Sequence, residues 1–138
     1  MLFRSLKEKV PHVHIVGADP YGSILGGGEE VFSYHVEGIG YDFFPNVLDN
    51  SLIDSYIKVS DKESFIMARR LIKEEGLLVG GSSGSAAYAA LKAAQVLDAD
   101  QTCLVILPDS VRNYMTKFID DEWMKKTDMT AQSTMEVS

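Results

Sequence analysis

Several things are scarce in this chain, and each scarcity closes off a class of function. There is one cysteine, Cys103, so no internal disulfide framework is possible. Basic residues are outnumbered: 13 Lys and Arg stand against 20 Asp and Glu, for a formal net charge of −7. No excess of cations is available to neutralise a phosphate backbone, which excludes nucleic acid as a partner. Lys7 and Lys9 are offset by Glu8 and form no basic patch. No apolar run reaches the roughly 20 residues that span a bilayer. The N-terminus carries no signal-peptide pattern, so the expectation is a cytoplasmic protein without a membrane partner. The glycine-rich stretch at residues 80–84 contains no lysine, which rules out a Walker loop. It also lacks the Gly-x-Gly-x-x-Gly spacing of a dinucleotide fingerprint. Gly38-Ile39-Gly40 starts that pattern, but Phe43 stands in place of the third glycine and Pro45 follows. His12-x-His14 has no third ligand at a useful spacing and His35 is isolated, so no metal site is expected.

What is present is concentrated at residues 74–85. The run Glu74-Glu75-Gly76-Leu77-Leu78-Val79 ends at Gly80-Gly81-Ser82-Ser83-Gly84-Ser85, and an alanine-rich helix pattern follows. This predicts a strand, a small-residue turn and a helix start. Glycines let a ligand approach the backbone closely, and the first helical turn offers unpaired N–H groups and a positive dipole end. An anion or a polar ring edge would suit that geometry. A tight strand-to-helix connection without a ligand would produce the same pattern.

Around it, strand and helix signals alternate. Residues 5–9 read as a helix end, stopped by Pro11. Residues 12–17 read as a strand, and Ala18-Asp19-Pro20-Tyr21-Gly22 as the turn after it. Residues 22–35 form a glycine-rich loop, and residues 36–45 a second glycine-marked segment with aromatics that could wall a pocket. Residues 56–59 form a short strand candidate. Ser60 with Glu63 is a capping box, and Phe65, Ala68, Leu71 and Ile72 give the helix behind it a core face. Gly76 stands where such a helix closes. A buried helix is predicted over residues 85–97, and a strand buried on both faces over residues 102–107. Cys103 is then expected as a small buried hydrophobe. A helix follows from Pro108-Asp109-Ser110 to about Trp123. From Lys125 the chain turns polar, as in a linker or frayed tail. The alternation predicts an α/β fold, a partial open parallel sheet with helices on both faces. Ligands in such sheets bind beyond the carboxyl ends of strands, here the loops after Val16, Val79 and Leu107, with residues 38–41 alongside.

Several segments together resemble the cystathionine β-synthase family: Gly17-Ala18-Asp19-Pro20, Gly22-Ser23-Ile24-Leu25, Val36-Glu37-Gly38-Ile39-Gly40-Tyr41-Asp42-Phe43, Glu75-Gly76-Leu77-Leu78, Gly80-Gly81-Ser82, and the run from Leu107 through Pro108-Asp109-Ser110-Val111-Arg112-Asn113-Tyr114 to Phe118. Order and spacing fit from about Leu6 to Trp123. Cysteine synthases share the Gly-Ile-Gly loop and a similar small-residue turn, but not the long Pro-Asp-Ser-Val-Arg-Asn-Tyr run. The resemblance implies part of the large domain of a tryptophan-synthase-β-like enzyme dependent on pyridoxal 5'-phosphate. It implies a β-replacement in which serine loses its hydroxyl and homocysteine adds through its thiol to give cystathionine. By the same resemblance, Ser82 bonds the cofactor's ring nitrogen, Gly80, Gly81 and Gly84 shape the turn, and Pro108 and Asp109 lie near the ring edge. A helix-capping role for Asp109 is an equal alternative. Gly38, Gly40 and Tyr41 shape the substrate side of the mouth.

The family's Schiff-base lysine and phosphate loop have no counterpart here, and none of the nine lysines stands in that lysine's context. The haem-binding region and the S-adenosylmethionine-binding repeats of the family likewise lie outside these residues. The expectation is therefore a fragment: residues 1–124 as the C-terminal portion of the catalytic domain and residues 125–138 as a linker or disordered tail. The parent would be a homo-oligomer acting on serine and homocysteine, and the isolated chain would be inactive. The alternatives are a short non-catalytic interaction module pairing through an exposed sheet edge, and a fragment of a cysteine synthase using O-acetylserine and sulfide.

Overall fold

A computed structural model describes residues 2–130. The N-terminal helix α1 (Leu2–Lys9) leads to strand β1 (Val16–Pro20), and a long loop leads to strand β2 (Ser55–Val59). Helix α2 (Asp61–Glu75) and helix α3 (Gly81–Ala93) follow, then an irregular stretch, a 3-10 turn at Val111–Tyr114 and helix α4 (Asp121–Lys126). The two strands pair in parallel, with Val16 opposite Ser55 and Asp19 opposite Lys58. The fold class is α/β with a small open parallel sheet.

Helix α2 is built from local signals. The Ser60 hydroxyl accepts from the Glu63 N–H while the Glu63 carboxylate accepts from the Ser60 N–H, so the capping box closes in both directions. Gly76 ends the helix in the left-handed conformation, its N–H bonding back to Ile72 and Leu71. The face carrying Phe65 and Ala68 is fully buried, while Leu71 and Ile72 are only partly covered. Phe65 stacks on Phe118 at 5.2 Å between ring centres and meets Tyr114 edgewise at 5.8 Å. Val36 and Met124 complete this core.

Helices α2 and α3 cross in close contact. A Cβ on Gly84 would lie 1.9 Å from the Ser64 carbonyl oxygen, so only glycine permits this approach. Two buried serines, Ser64 and Ser85, share a hydrogen bond of 2.7 Å across the crossing.

Several elements differ from expectation. The first strand begins at Val16, and residues 18–20, read as a turn, belong to it. They are held in the strand by pairing with Ile57, Lys58 and Val59. Helix α3 begins at Gly81, four residues before Ser85, so the small-residue turn is the first turn of the helix itself. Its first half is buried, and Leu91, Val96 and Leu97 near and beyond its end are exposed. Residues 77–79 form no strand: Val79 makes one antiparallel bridge, to Ser110. Residues 102–107 form no strand among the described residues, and Cys103 is exposed rather than buried. An apolar run reads as a strand on its own, but a strand needs a neighbour to bond. The helix expected over residues 110–123 is broken into the turn at Val111–Tyr114 and helix α4, which restarts behind an Asp120 cap. The expected tail begins too early: α4 continues to Lys126, and Met129 packs against the core. Residues 131–138 lie outside the described residues. Among those described, no helix is long and apolar enough to cross a membrane.

Candidate functional site

The start of α3 is organised from across the chain. Its N-cap, Gly80, has no side chain to offer, and the cap comes from Asp109. One carboxylate oxygen accepts from the Ser82 N–H at 3.0 Å, the other from the Ser83 N–H at 2.9 Å and the Ser83 hydroxyl at 2.7 Å. The Gly80 N–H donates to the Asp109 carbonyl at 3.2 Å, and the Val111 N–H to Leu78 at 3.1 Å. Residues 78–83 and 109–111 are thus zipped together. A Cβ on Gly80 would meet the Asp109 carboxylate at 2.4 Å and the Tyr114 ring at 2.6 Å, and one on Gly81 the Phe65 ring at 2.6 Å. The groups that come closest to this backbone are the chain's own. Ser82 is buried here, while Pro108 is exposed.

Burial pushes the Asp109 carboxyl up, but bonds from the Ser83 hydroxyl and the Ser83 and Ser82 N–H groups outweigh it and hold the acid below the usual range. The positive end of α3 is therefore already matched by an anion. Asp109 caps α3, and does not start the helix expected after it.

The second loop stands on the strand pair. Asp19, almost fully buried, faces Lys58 across the strands at 2.6 Å and accepts from the Gly26 N–H at 2.9 Å. Lys58 also donates to the Ser23 carbonyl. The buried Ser23 hydroxyl in turn holds both polar backbone groups of Tyr41, accepting from its N–H at 3.0 Å and donating to its carbonyl at 3.2 Å. Gly40 has φ +77°, and a Cβ there would meet the Tyr34 hydroxyl at 2.5 Å and Pro20 at 2.6 Å. The Tyr41 side chain is left half exposed, edge-on to Phe43 at 5.1 Å.

Tyr114 joins the two regions. Its ring lies against Gly80 and Gly81, and its hydroxyl accepts from the Glu37 N–H at 2.8 Å. Lys117, three residues on, donates to the His35 carbonyl at 3.3 Å and pairs with Glu37 at 2.6 Å. Asp19, Ser23, Lys58, Tyr114 and Lys117 were not singled out by sequence reasoning. Each lies in or beside a quoted segment, and a lysine inside the apolar strand 56–59 was the one local sign that a buried acid stood opposite. Among the described residues, no three His, Cys, Asp or Glu side chains are grouped to hold a metal ion.

Comparison with known proteins gives the chain's family. The profile of the family described as "Pyridoxal-phosphate dependent enzyme" matches residues 2–109. The chain belongs to the pyridoxal-phosphate-dependent enzyme family. Within that family, it is 59% identical over 125 residues to a cystathionine β-synthase of Dictyostelium discoideum, an overlap covering 88% of this chain and 25% of that protein. It is 46% identical over 116 residues to a cysteine synthase of Helicobacter pylori, covering 84% of this chain and 38% of that one. Its structure resembles that of an O-acetylserine-dependent cystathionine β-synthase from Helicobacter pylori, with a TM-score of 0.77 at 46% identity over 83% of this chain and 37% of that one. The chain spans about a quarter of the length of the cystathionine β-synthases it matches.

Proposed function

We propose that these residues form the ring-nitrogen side and part of the substrate mouth of a pyridoxal-phosphate-dependent enzyme that condenses serine with homocysteine to give cystathionine. The observation that carries the proposal is the start of α3, where a buried serine, Ser82, sits beside a helix end capped by Asp109. A hydroxyl donates to a neutral ring nitrogen and does not require that nitrogen to be protonated. A phosphate does not fit the same place, because the N–H groups of Ser82 and Ser83 already bond a carboxylate whose charge would repel it. The donor set suits the ring edge of the cofactor and not its phosphate.

When bound, pyridoxal phosphate supplies the electron sink for chemistry at the substrate's β-carbon. The residues here supply position. Ser82 holds the ring nitrogen, and Gly80, Gly81 and Gly84 let α3 start close against Asp109, Phe65 and α2. Pro108 flanks the ring edge. Gly38, Gly40 and Tyr41, pinned through Ser23, shape the mouth through which the amino-acid substrates enter. Lys58 and Lys117 are committed to Asp19 and Glu37, and no lysine here stands in the family's Schiff-base context. The isolated chain therefore forms no cystathionine. The protein that carries out the reaction works in the cytoplasm as a homo-oligomer, and the residues here are not those that bind haem or S-adenosylmethionine.

A second reading, a cysteine synthase using O-acetylserine and sulfide, is favoured by the Helicobacter pylori relative. The higher identity to cystathionine β-synthases and the Pro108–Tyr114 run favour the first. The test is product analysis of the cofactor-loaded protein that contains these residues. Serine with homocysteine is expected to yield cystathionine faster than O-acetylserine with sulfide yields cysteine, and the reverse order would replace the first reading by the second. Cofactor-dependent turnover by the 138-residue chain alone would overturn its assignment as inactive.

A further inference from the structure

The run from Pro108 to Phe118 contributes Tyr114 and Phe118 to the core. Its geometry does more than fill space. Tyr114 is fully buried among Phe65, Phe118 and the glycines at the start of α3, yet its one polar atom is aimed away from that core, at the Glu37 N–H 2.8 Å distant. Glu37 immediately precedes Gly38. Asp109 acts on the same hydroxyl, and burial together with that carboxylate pushes it well above the usual tyrosine range. The hydroxyl stays protonated and bonded to a backbone donor on one loop, while the Tyr114 ring and the Asp109 carboxylate both lie against Gly80 at the start of α3. Lys117 reinforces the connection from outside, on the His35 carbonyl and the Glu37 carboxylate.

We propose that Tyr114 is a positioning residue that couples the two candidate loops, holding the backbone at Glu37 and Gly38 in fixed relation to the start of α3. As far as residues 38–41 are taken as the substrate mouth, the inference rests on the function proposed above. Coupling of the loops themselves does not. A rigid link of this kind fixes the distance between the ring-nitrogen partner and the wall that meets the incoming thiol, and small misplacements of that sort are costly to rate.

The experiment is amide hydrogen exchange and steady-state kinetics on the cofactor-loaded protein carrying Tyr114→Phe, which keeps the ring in the core and removes only the hydroxyl. Exchange at Glu37 and its neighbours is expected to rise by roughly tenfold, the equivalent of one lost hydrogen bond, with α2 unchanged. The KM for the thiol substrate is expected to rise by more than kcat falls. Asp109→Asn serves as a second variant with Tyr114 intact. It makes no direct hydrogen bond to residues 35–41, so faster exchange there would report transmission through Tyr114. Exchange at Glu37 unchanged in both variants, or rising equally throughout α2 and α3, would overturn the coupling. A loosened loop with unchanged KM would uphold the coupling and remove residues 38–41 from the substrate mouth.

Discussion

Two apolar regions of this molecule, one aromatic and one aliphatic, have opposite fates. One is the corner where Phe65, Tyr114 and Phe118 meet, each with no exposed surface. The other is the stretch around Cys103-Leu104-Val105-Ile106, where Leu104 is 83% and Ile106 52% exposed. Leu77 and Leu78 are exposed as well. In the first region, side chains from α2, the turn at Val111–Tyr114 and the segment leading into α4 arrive from three directions. In the second, a groove of about 440 Å³ opens between α2, α3 and residues 103–105, and nothing among the described residues closes it. Hydrophobicity states that a segment gains by leaving water. It does not state which neighbour will cover it.

The largest expected effect breaks the packed corner. Phe65→Ala should lower stability by about 3–5 kcal/mol, because it removes the ring that Tyr114, Phe118 and Trp123 all touch. Urea unfolding followed by tryptophan fluorescence would measure it, and a loss no larger than that of an exposed residue would contradict the account of the core.

Next comes the bridge between corner and site. Asp109→Asn should cost about 1–2 kcal/mol through the weakened cap on α3. Its pH dependence has a definite sign. The folded-state acid lies below its ordinary value, so its contribution is present above the unfolded value of about 3.9 and is lost as pH falls through the lower folded one. Unfolding midpoints of wild type and variant should therefore converge in acid and separate toward neutral pH. Parallel curves would show that Asp109 carries no such linkage.

The smallest effect sharpens the other side of the comparison. Leu104→Ser should change stability by less than about 0.5 kcal/mol while reducing aggregation of the isolated chain, since it interrupts an exposed apolar patch. Cys103 should react with a thiol reagent at nearly the rate of a free thiol. Slow labelling, or a large loss of stability from Leu104→Ser, would mean that this stretch is covered in solution.

Legibility in the sequence followed the range of the interactions. The α2 caps, Ser60–Glu63 and Gly76, were readable because each involves residues three to five apart, and residues 56–59 of β2 were readable as a short strand candidate. The α/β class followed from the order of segments. The start of α3 was misplaced by four residues because its cap, Asp109, comes from 26 residues beyond Ser83. Glycine and serine looked like a turn until that carboxylate and the crossing at Gly84 were seen to make a helix of them. Residues 102–107 failed in the opposite way, since their strand signal was real but lacked a paired neighbour. At the candidate site, Ser82, Gly40 and Tyr41 lie in segments marked by local pattern, and their roles come from the resemblance. Ser23, Lys58 and Tyr114, which hold them, act through contacts 18 to 77 residues apart that no local pattern reveals.

The central claim, that Ser82 faces a neutral ring nitrogen, is tested most directly by Ser82→Asp in the cofactor-loaded protein, read by turnover and by the cofactor's absorption spectrum. A carboxylate there should protonate the ring, shift the spectrum and sharply lower cystathionine formation while pyridoxal phosphate stays bound. Unchanged spectrum and unchanged turnover would show that Ser82 does not touch the ring nitrogen, and the placement of the cofactor against α3 would fall with it.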